Sequence, residues 1–359
     1  MLIFFQIRAA DSAHISLITN GSSNHVPEET TMKAYVIEQP GGPQVLQLRD
    51  IPSLEPTSDE VQIHVRAFGL NRAETYLRAG KMGEITAPRV PGIEAVGEVI
   101  HDPAGVFRPG QRVATAMGGM QFIRNGSYAE QVTVLRSNVV SLDGTSLSWE
   151  ELAALPQAYL TVWGALDKSL AIQAGQTLLV RGATTSVGLA AITYAKARGL
   201  TVIATTRTAA NSQRLREMGA DEVIIDNGDI AQRVRDITHH GVDAALEIIG
   251  TATLRDTIKT LRPFGAVSVI GLLGGPPVLE QFHLMQDLPA GIRLNFFPSG
   301  LFGTPALPLQ GTPLPWLAKE VAAGSIPSIR SQTFAFDEVP KAHRLMESDR
   351  ALGKLVVLL

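Results

Sequence analysis

From Thr177 onward, apolar runs of strand length alternate with amphipathic stretches of helix length. Thr177–Gly199 opens the series with an apolar strand, a tight turn of small residues and a helix. There follow a strand at Leu200–Thr206, a helix near Ala210–Met218, a strand at Glu222–Asp226 and a helix near Asp229–Thr238. A strand at Val242–Ile249, a helix near Thr251–Leu261 and a strand at Gly265–Leu272 complete the run. Gly219, Gly250 and Gly265 stand where an element must stop. This alternation, with short Gly, Asp or Asn connections, predicts a doubly wound parallel sheet whose strand ends at Gly250 and Gly271 face a ligand crevice. Before it the pattern differs. Lys33–Ile37, Val61–Phe68, Ala95–Ile100, Arg112–Ala116 and Tyr128–Val134 read as short strands, divided by turn signals at Pro40-Gly41-Gly42-Pro43, Pro109-Gly110 and Asn125-Gly126. They predict an irregular β-rich domain reaching to about Pro156. Ser331–Phe336, a helix around Val339–Ser348 and Lys354–Leu359 do not extend the alternation, and are expected to return to that first domain.

The turn after Thr177 has a chemistry of its own. A helix opening there offers unpaired backbone N–H groups and the positive end of its dipole, which suits the pyrophosphate of a dinucleotide. Against the pattern G-x-G-x-x-G the chain supplies Ala183, Thr185 and Gly188, so only the last glycine is in place and an ordinary strand-turn-helix is the bland alternative. The next strand ends in Thr205-Thr206-Arg207, where an NAD site would place Asp or Glu. A cation there suits a 2'-phosphate, and NADPH is the cofactor expected.

Composition narrows the classes. With 359 residues, 18% charged and 45% hydrophobic, the chain reads as a soluble two-domain protein, and no run reaches membrane-spanning length. A net charge of -3 without a concentrated basic face gives no reason to expect nucleic acid as a partner. There is no cysteine, hence no disulfide, and a cytoplasmic enzyme is the simplest expectation. Residues 1–31 look different from the rest: Leu2–Ile7 is apolar but short for a signal core, and Ser22–Thr31 is polar. Arg8 is the only basic residue before Lys33, while Asp11, Glu28 and Glu29 are acidic, which makes targeting the weaker reading. Residues 1–31 are therefore expected to be a mobile extension, with Met32 as the start of the folded part.

An ordered set of strings carries a family resemblance. It comprises AFGLNRAETYLRAG at Ala67–Gly80, VPGIEAVGEV at Val90–Val99, FRPGQRV at Phe107–Val113 and GSYAE at Gly126–Glu130. AALP at Ala153–Pro156, LTVW at Leu160–Trp163 and GKLVV at Gly353–Val357 complete it. Over Lys33–Leu359 the chain resembles the medium-chain dehydrogenase/reductase superfamily, in its zinc-independent quinone oxidoreductase-like branch. The resemblance implies an α/β protein with a GroES-like catalytic domain at 32–156 and a Rossmann NADP-binding domain at 157–298. Residues 299–359 would return to the catalytic domain, and a homodimer is expected. In zinc-dependent relatives a Cys stands at the position of Asn71 and a His at that of Ile93, inside Gly92-Ile93-Glu94. Without cysteine the four-Cys structural site has no ligands either, and the adjacent His239 and His240 read as a solvated pair.

Lacking a Lewis acid, such a site handles an isolated ketone poorly, whereas a quinone or α,β-unsaturated carbonyl spreads the incoming charge onto an oxygen that hydrogen-bond donors can steady. NADPH-dependent reduction of such a small molecule is the expected reaction. The resemblance puts Asn71 beside the nicotinamide, where it would orient the ring or the substrate oxygen. It makes Tyr76 a candidate proton or hydrogen-bond donor, with packing at the cleft as the alternative. Arg78 reads as a surface or phosphate-directed cation, and Glu94 as a structural acceptor. Gly182, Ser186, Val187 and Gly188 are expected along the pyrophosphate, Thr205, Thr206 and Arg207 around the adenosine phosphate, and Thr161 on the nicotinamide side. Gly271, Leu272 and Lys354 are further cofactor candidates, Lys354 alternatively being a solvated strand-edge charge. Asn295-Phe296-Phe297 resembles a segment near a subunit contact and the mouth of the active site, or is core. A trans-acting enoyl reductase of polyketide or fatty-acid synthesis and a non-catalytic NADPH-binding protein remain as alternatives.

Overall fold

The computed structural model describes residues 30–359. The expected mobile extension lies outside them except for its last two residues, and Thr31 already opens the strand Thr31–Val36. Six parallel strands form one sheet, in the spatial order Glu222–Ile225, Thr201–Thr206, Thr177–Arg181, Val242–Glu247, Leu261–Val269 and Arg293–Phe296. Numbered along the chain this is 3-2-1-4-5-6, the Rossmann order, whose ligand crevice lies beyond the carboxyl ends where the winding reverses. Thr177–Arg181 is flanked on both sides, and its Leu178, Leu179 and Val180 are fully buried.

The other main sheet has seven strands and is antiparallel apart from one pairing. Its order is Arg330–Ala335, Lys354–Leu358, Glu60–Gly69, Glu94–His101, Arg112–Ala116 and Val139–Ser141, with Gln131–Leu135 paired to Glu60–Gly69. The C-terminal strand runs antiparallel to Glu60–Gly69 in the register Val356 to Gly69, Val357 to Phe68 and Leu358 to Ala67. Continued by two residues, that register sets Lys354 opposite Asn71. Distant parts of the sequence thereby share one site.

Several boundaries moved. The strand expected at Gly265–Leu272 runs from Leu261 to Val269, because a register shift against its neighbour and a φ of 62° at Phe264 carry the chain past Pro263. Tyr128 precedes its expected strand, which occupies Gln131–Leu135; the ring stacks on Phe68 with centroids 4.4 Å apart, and its hydroxyl lies 3.0 Å from His343 Nε2. Burial pushes the His343 imidazole down to about 3. Among the described residues no helix is long and apolar enough to cross a membrane.

Candidate functional site

The phosphate turn is built from its first glycine. Gly182 has a φ of 89°, a conformation costly for any side chain, and its N–H donates to Thr205 Oγ1 at 3.2 Å. The helix Ser186–Ala197 is capped by Thr185, whose Oγ1 accepts from the Gly188 N–H at 3.0 Å and donates to Gly182 O at 3.0 Å. The cap therefore takes the Gly188 amide, whereas those of Ser186 and Val187 have no backbone partner and remain available to an anion. Gly188 serves by its size: a Cβ there would lie 2.6 Å from Ala183 Cα and O. Thr185 was missed as a cap because it was weighed only as a failed glycine.

At the second strand's end the three candidates separate. Thr205 is buried beneath the turn, and Thr206 Oγ1 accepts from the Thr208 N–H at 3.2 Å. Arg207 projects outward with its side chain 81% exposed, its nearest acid being Asp349 at 3.9 Å. Below the turn lies a group that sequence reasoning passed over. Arg181, fully buried, donates to both oxygens of Asp226 at 2.8 and 2.9 Å and to Asp256 Oδ2 at 2.7 Å. Asp256 in turn accepts from the Ile230 N–H at 2.9 Å. Burial alone would raise the Asp226 carboxyl, but Arg181 and the Gly228 N–H hold it below its ordinary value. A lone arginine in the apolar string TLLVRG was the available signal.

At Asn71 the chain assembles a second polar cluster. Asn71 precedes the helix Arg72–Arg78, and its N–H donates to Glu74 Oε2 at 2.7 Å. Its Nδ2 donates to Glu94 Oε1 at 2.8 Å and Glu74 Oε1 at 3.2 Å, so both amide hydrogens are engaged. Lys354 Nζ donates to Asn71 Oδ1 at 2.7 Å and Glu94 Oε1 at 2.5 Å, and the Gln157 N–H reaches Glu94 Oε2 at 2.8 Å. Glu74, Glu94 and Lys354 are all at 0% exposure. Burial pushes the Glu74 carboxyl up to about 7, against the opposing pull of Lys354 and Asn71. Lys354 is thus no solvated strand-edge charge. Glu74 is a residue missed in the sequence, although Asn-x-x-Glu before an apolar run is a capping signature.

The other candidates are less tightly gathered. Tyr76 is half-buried, with the Lys81 ammonium 5.8 Å from its ring centre, and stands five positions beyond Asn71, about 140° round the helix. Arg78 is neither at the surface nor directed to phosphate: it is 2% exposed, pairs with Glu347 and donates to Gly41 O at 3.1 Å. Thr161 is buried and donates to Gln157 O at 2.7 Å. Gly271 lies against Ile248, whose O would be 2.1 Å from any added Cβ. Leu272 lines a cavity of about 360 Å³ with Thr251, Leu254, Leu294 and Phe296. In that segment Phe297 is core at 4% exposure, while Phe296 is 54% exposed. His239 and His240 are exposed.

Comparison with known proteins follows this division. The family model "Alcohol dehydrogenase GroES-like domain" matches residues 57–144, and "Zinc-binding dehydrogenase" matches 186–294. A quinone oxidoreductase of Homo sapiens is 30% identical over 337 residues, covering 91% of this chain and 98% of that protein. A 2-haloacrylate reductase of Burkholderia sp is 28% identical over 342 residues, covering 90% and 98%. The structure of Escherichia coli quinone oxidoreductase complexed with NADPH superimposes with a TM-score of 0.79 at 25% identity, covering 92% of this chain and 99% of that one. The zinc of the second model's description does not fit the donors present. An ammonium and an amide N–H group converge on Glu94 where thiolate and imidazole ligands would be needed. Among the described residues no three His, Asp or Glu side chains gather as a metal-ligand group.

Proposed function

Because the chain belongs to the medium-chain dehydrogenase/reductase superfamily, as a quinone oxidoreductase-like member, we propose that it is an NADPH-dependent reductase of quinones or α,β-unsaturated carbonyls that works without zinc. The carrying observation is the pairing of an open phosphate turn with an exposed guanidinium at the next strand's end. The free amides of Ser186 and Val187, the close approach at Gly188 and the outward Arg207 fit a dinucleotide bearing a 2'-phosphate. When bound, NADPH supplies a hydride, and the rest of the chemistry falls to the chain's own groups.

Asn71 has no free amide hydrogen for a developing oxyanion, so it acts through Oδ1, as an acceptor toward a hydroxyl or amide of the nicotinamide nucleoside. Lys354 holds that amide in orientation and neutralises Glu94 beneath it. Tyr76 is the candidate donor to the substrate oxygen. It takes no part in the Asn71 cluster, which leaves its hydroxyl available. A conjugated substrate suits such a site, since its charge is delocalised and a single neutral donor suffices to steady it. Following NADPH oxidation across quinones, enones and acyl-carrier-bound enoyl thioesters tests the reading. Turnover on free quinones or enones supports it, turnover on carrier-bound substrates alone would move it to a trans-acting enoyl reductase, and binding without turnover on any of them would overturn it.

A further inference from the structure

We propose that Asp349 is an internal competitor for the coenzyme's 2'-phosphate: its carboxylate sits between Arg72 and Arg207, and the phosphate displaces it to be held by both guanidinium groups. The inference rests on the reading of this chain as an NADPH-dependent protein and adds two residues to it. The three side chains come from three parts of the chain. Arg72 follows Asn71 as the first residue of the helix Arg72–Arg78 in the β-rich domain. Arg207 stands just past the strand Thr201–Thr206 of the parallel sheet. Asp349 lies in the returning segment, two residues after the helix Val339–Glu347, at a turn where its φ is 58°. Five residues later Lys354 binds Asn71 Oδ1, so two neighbouring contacts, Asn71 with Lys354 and Arg72 with Asp349, join the same two stretches of chain.

The charges at this point do not balance. Asp349 Oδ1 accepts from Arg72 Nη2, whereas Oδ2 reaches Arg207 Nη2 at 3.9 Å, an attraction without a hydrogen bond. One negative charge thus faces two positive ones, and among the described residues no second acid pairs with either arginine. A phosphate monoester carries about two negative charges near neutral pH and three acceptor oxygens, which match a pair of guanidinium groups better than one carboxylate does. The group is also open to a ligand. The side chains of Arg72, Asp349 and Arg207 are 31%, 57% and 81% exposed, and ion pairs this exposed to water contribute little to folding, so the carboxylate is readily displaced. With Asp349 in place, binding exchanges one anion for another, and the aspartate returns when the coenzyme leaves. A coenzyme without the 2'-phosphate requires no exchange, so the residue acts on NADPH and not on NADH.

The test is calorimetric titration of wild type, Asp349→Asn and Arg72→Gln with NADPH and with NADH, without substrate. Asp349→Asn is expected to bind NADPH about five- to tenfold more tightly than wild type, and Arg72→Gln about five- to tenfold more weakly, with NADH unchanged within about twofold in each. No gain for NADPH in Asp349→Asn would reduce the contact to a tie between the two domains and overturn the proposal. So would wild-type NADPH affinity in Arg72→Gln, or a change equal for both coenzymes, which would place the arginines away from the 2'-phosphate. Wild-type protein without a preference for NADPH would remove the coenzyme reading itself, and this inference with it; a wild-type preference that neither variant alters would remove this inference alone.

Discussion

Glu74→Gln should make the protein's stability depend on pH differently from wild type, in a window fixed by one buried carboxyl. In the folded state Glu74 is at 0% exposure and titrates at about 7, whereas its ordinary value is 4.5. Between these values the unfolded chain releases the proton and the folded chain retains it, so stability falls as pH rises through the window. One proton is worth about 1.4 kcal/mol per pH unit, and the full window is on the order of 3 kcal/mol. Glutamine cannot ionise. The stability of Glu74→Gln minus that of wild type should therefore be lowest near pH 4.5, climb by about 1.4 kcal/mol per unit, and level off above pH 7. Taking the difference removes the opposing contribution of His343, which is buried neutral and strengthens the fold as pH rises from about 3 to 6.5. Urea unfolding of both proteins at half-unit steps from pH 4.5 to 8 provides the numbers. A constant offset across the range would show that Glu74 ionises normally, and the description of the Asn71 cluster would fail.

Three further outcomes are expected. Lys354→Met should lose about 3–5 kcal/mol by stranding Glu94 in the interior, with much of it restored in the Lys354→Met, Glu94→Gln double variant; urea unfolding without such recovery would contradict the pairing. Arg207→Glu should weaken NADPH by about 2–3 kcal/mol, on the order of 100-fold, and leave NADH within about twofold, since the charge is exposed and meets only the 2'-phosphate; equal loss for both coenzymes by calorimetry would count against it. Tyr76→Phe should lower kcat on the best quinone or enone by roughly 10²-fold while the NADPH dissociation constant holds; unchanged kinetics would return Tyr76 to packing.

The strand-helix alternation after Thr177 was legible because its strands, apart from the edge strand Glu222–Ile225, are central and apolar, and because glycine or acidic turns separate them. The strand Arg293–Phe296 was not, being four residues long with both ends exposed at a sheet edge. Gln47–Pro52 escaped for the same reason, since exposure along nearly its whole length leaves no alternation to read. At the site, Asn71 and the phosphate turn were marked by local strings. The partners that decide what Asn71 can do come from elsewhere: Lys354 arrives through a strand register that brings it opposite Asn71 from 283 residues away, and Glu94 through the neighbouring strand. The Arg181 network likewise joins three separate βα units, and only the folded chain brings Asp226 and Asp256 to one guanidinium.

Calorimetric titration of the purified protein with NADPH and NADH, at one salt concentration and without substrate, addresses the phosphate turn and Arg207 together. Saturable binding of NADPH, about one equivalent per chain and at least tenfold tighter than NADH, is the expected result. No heat of binding with either coenzyme, from protein shown to be folded, would contradict it.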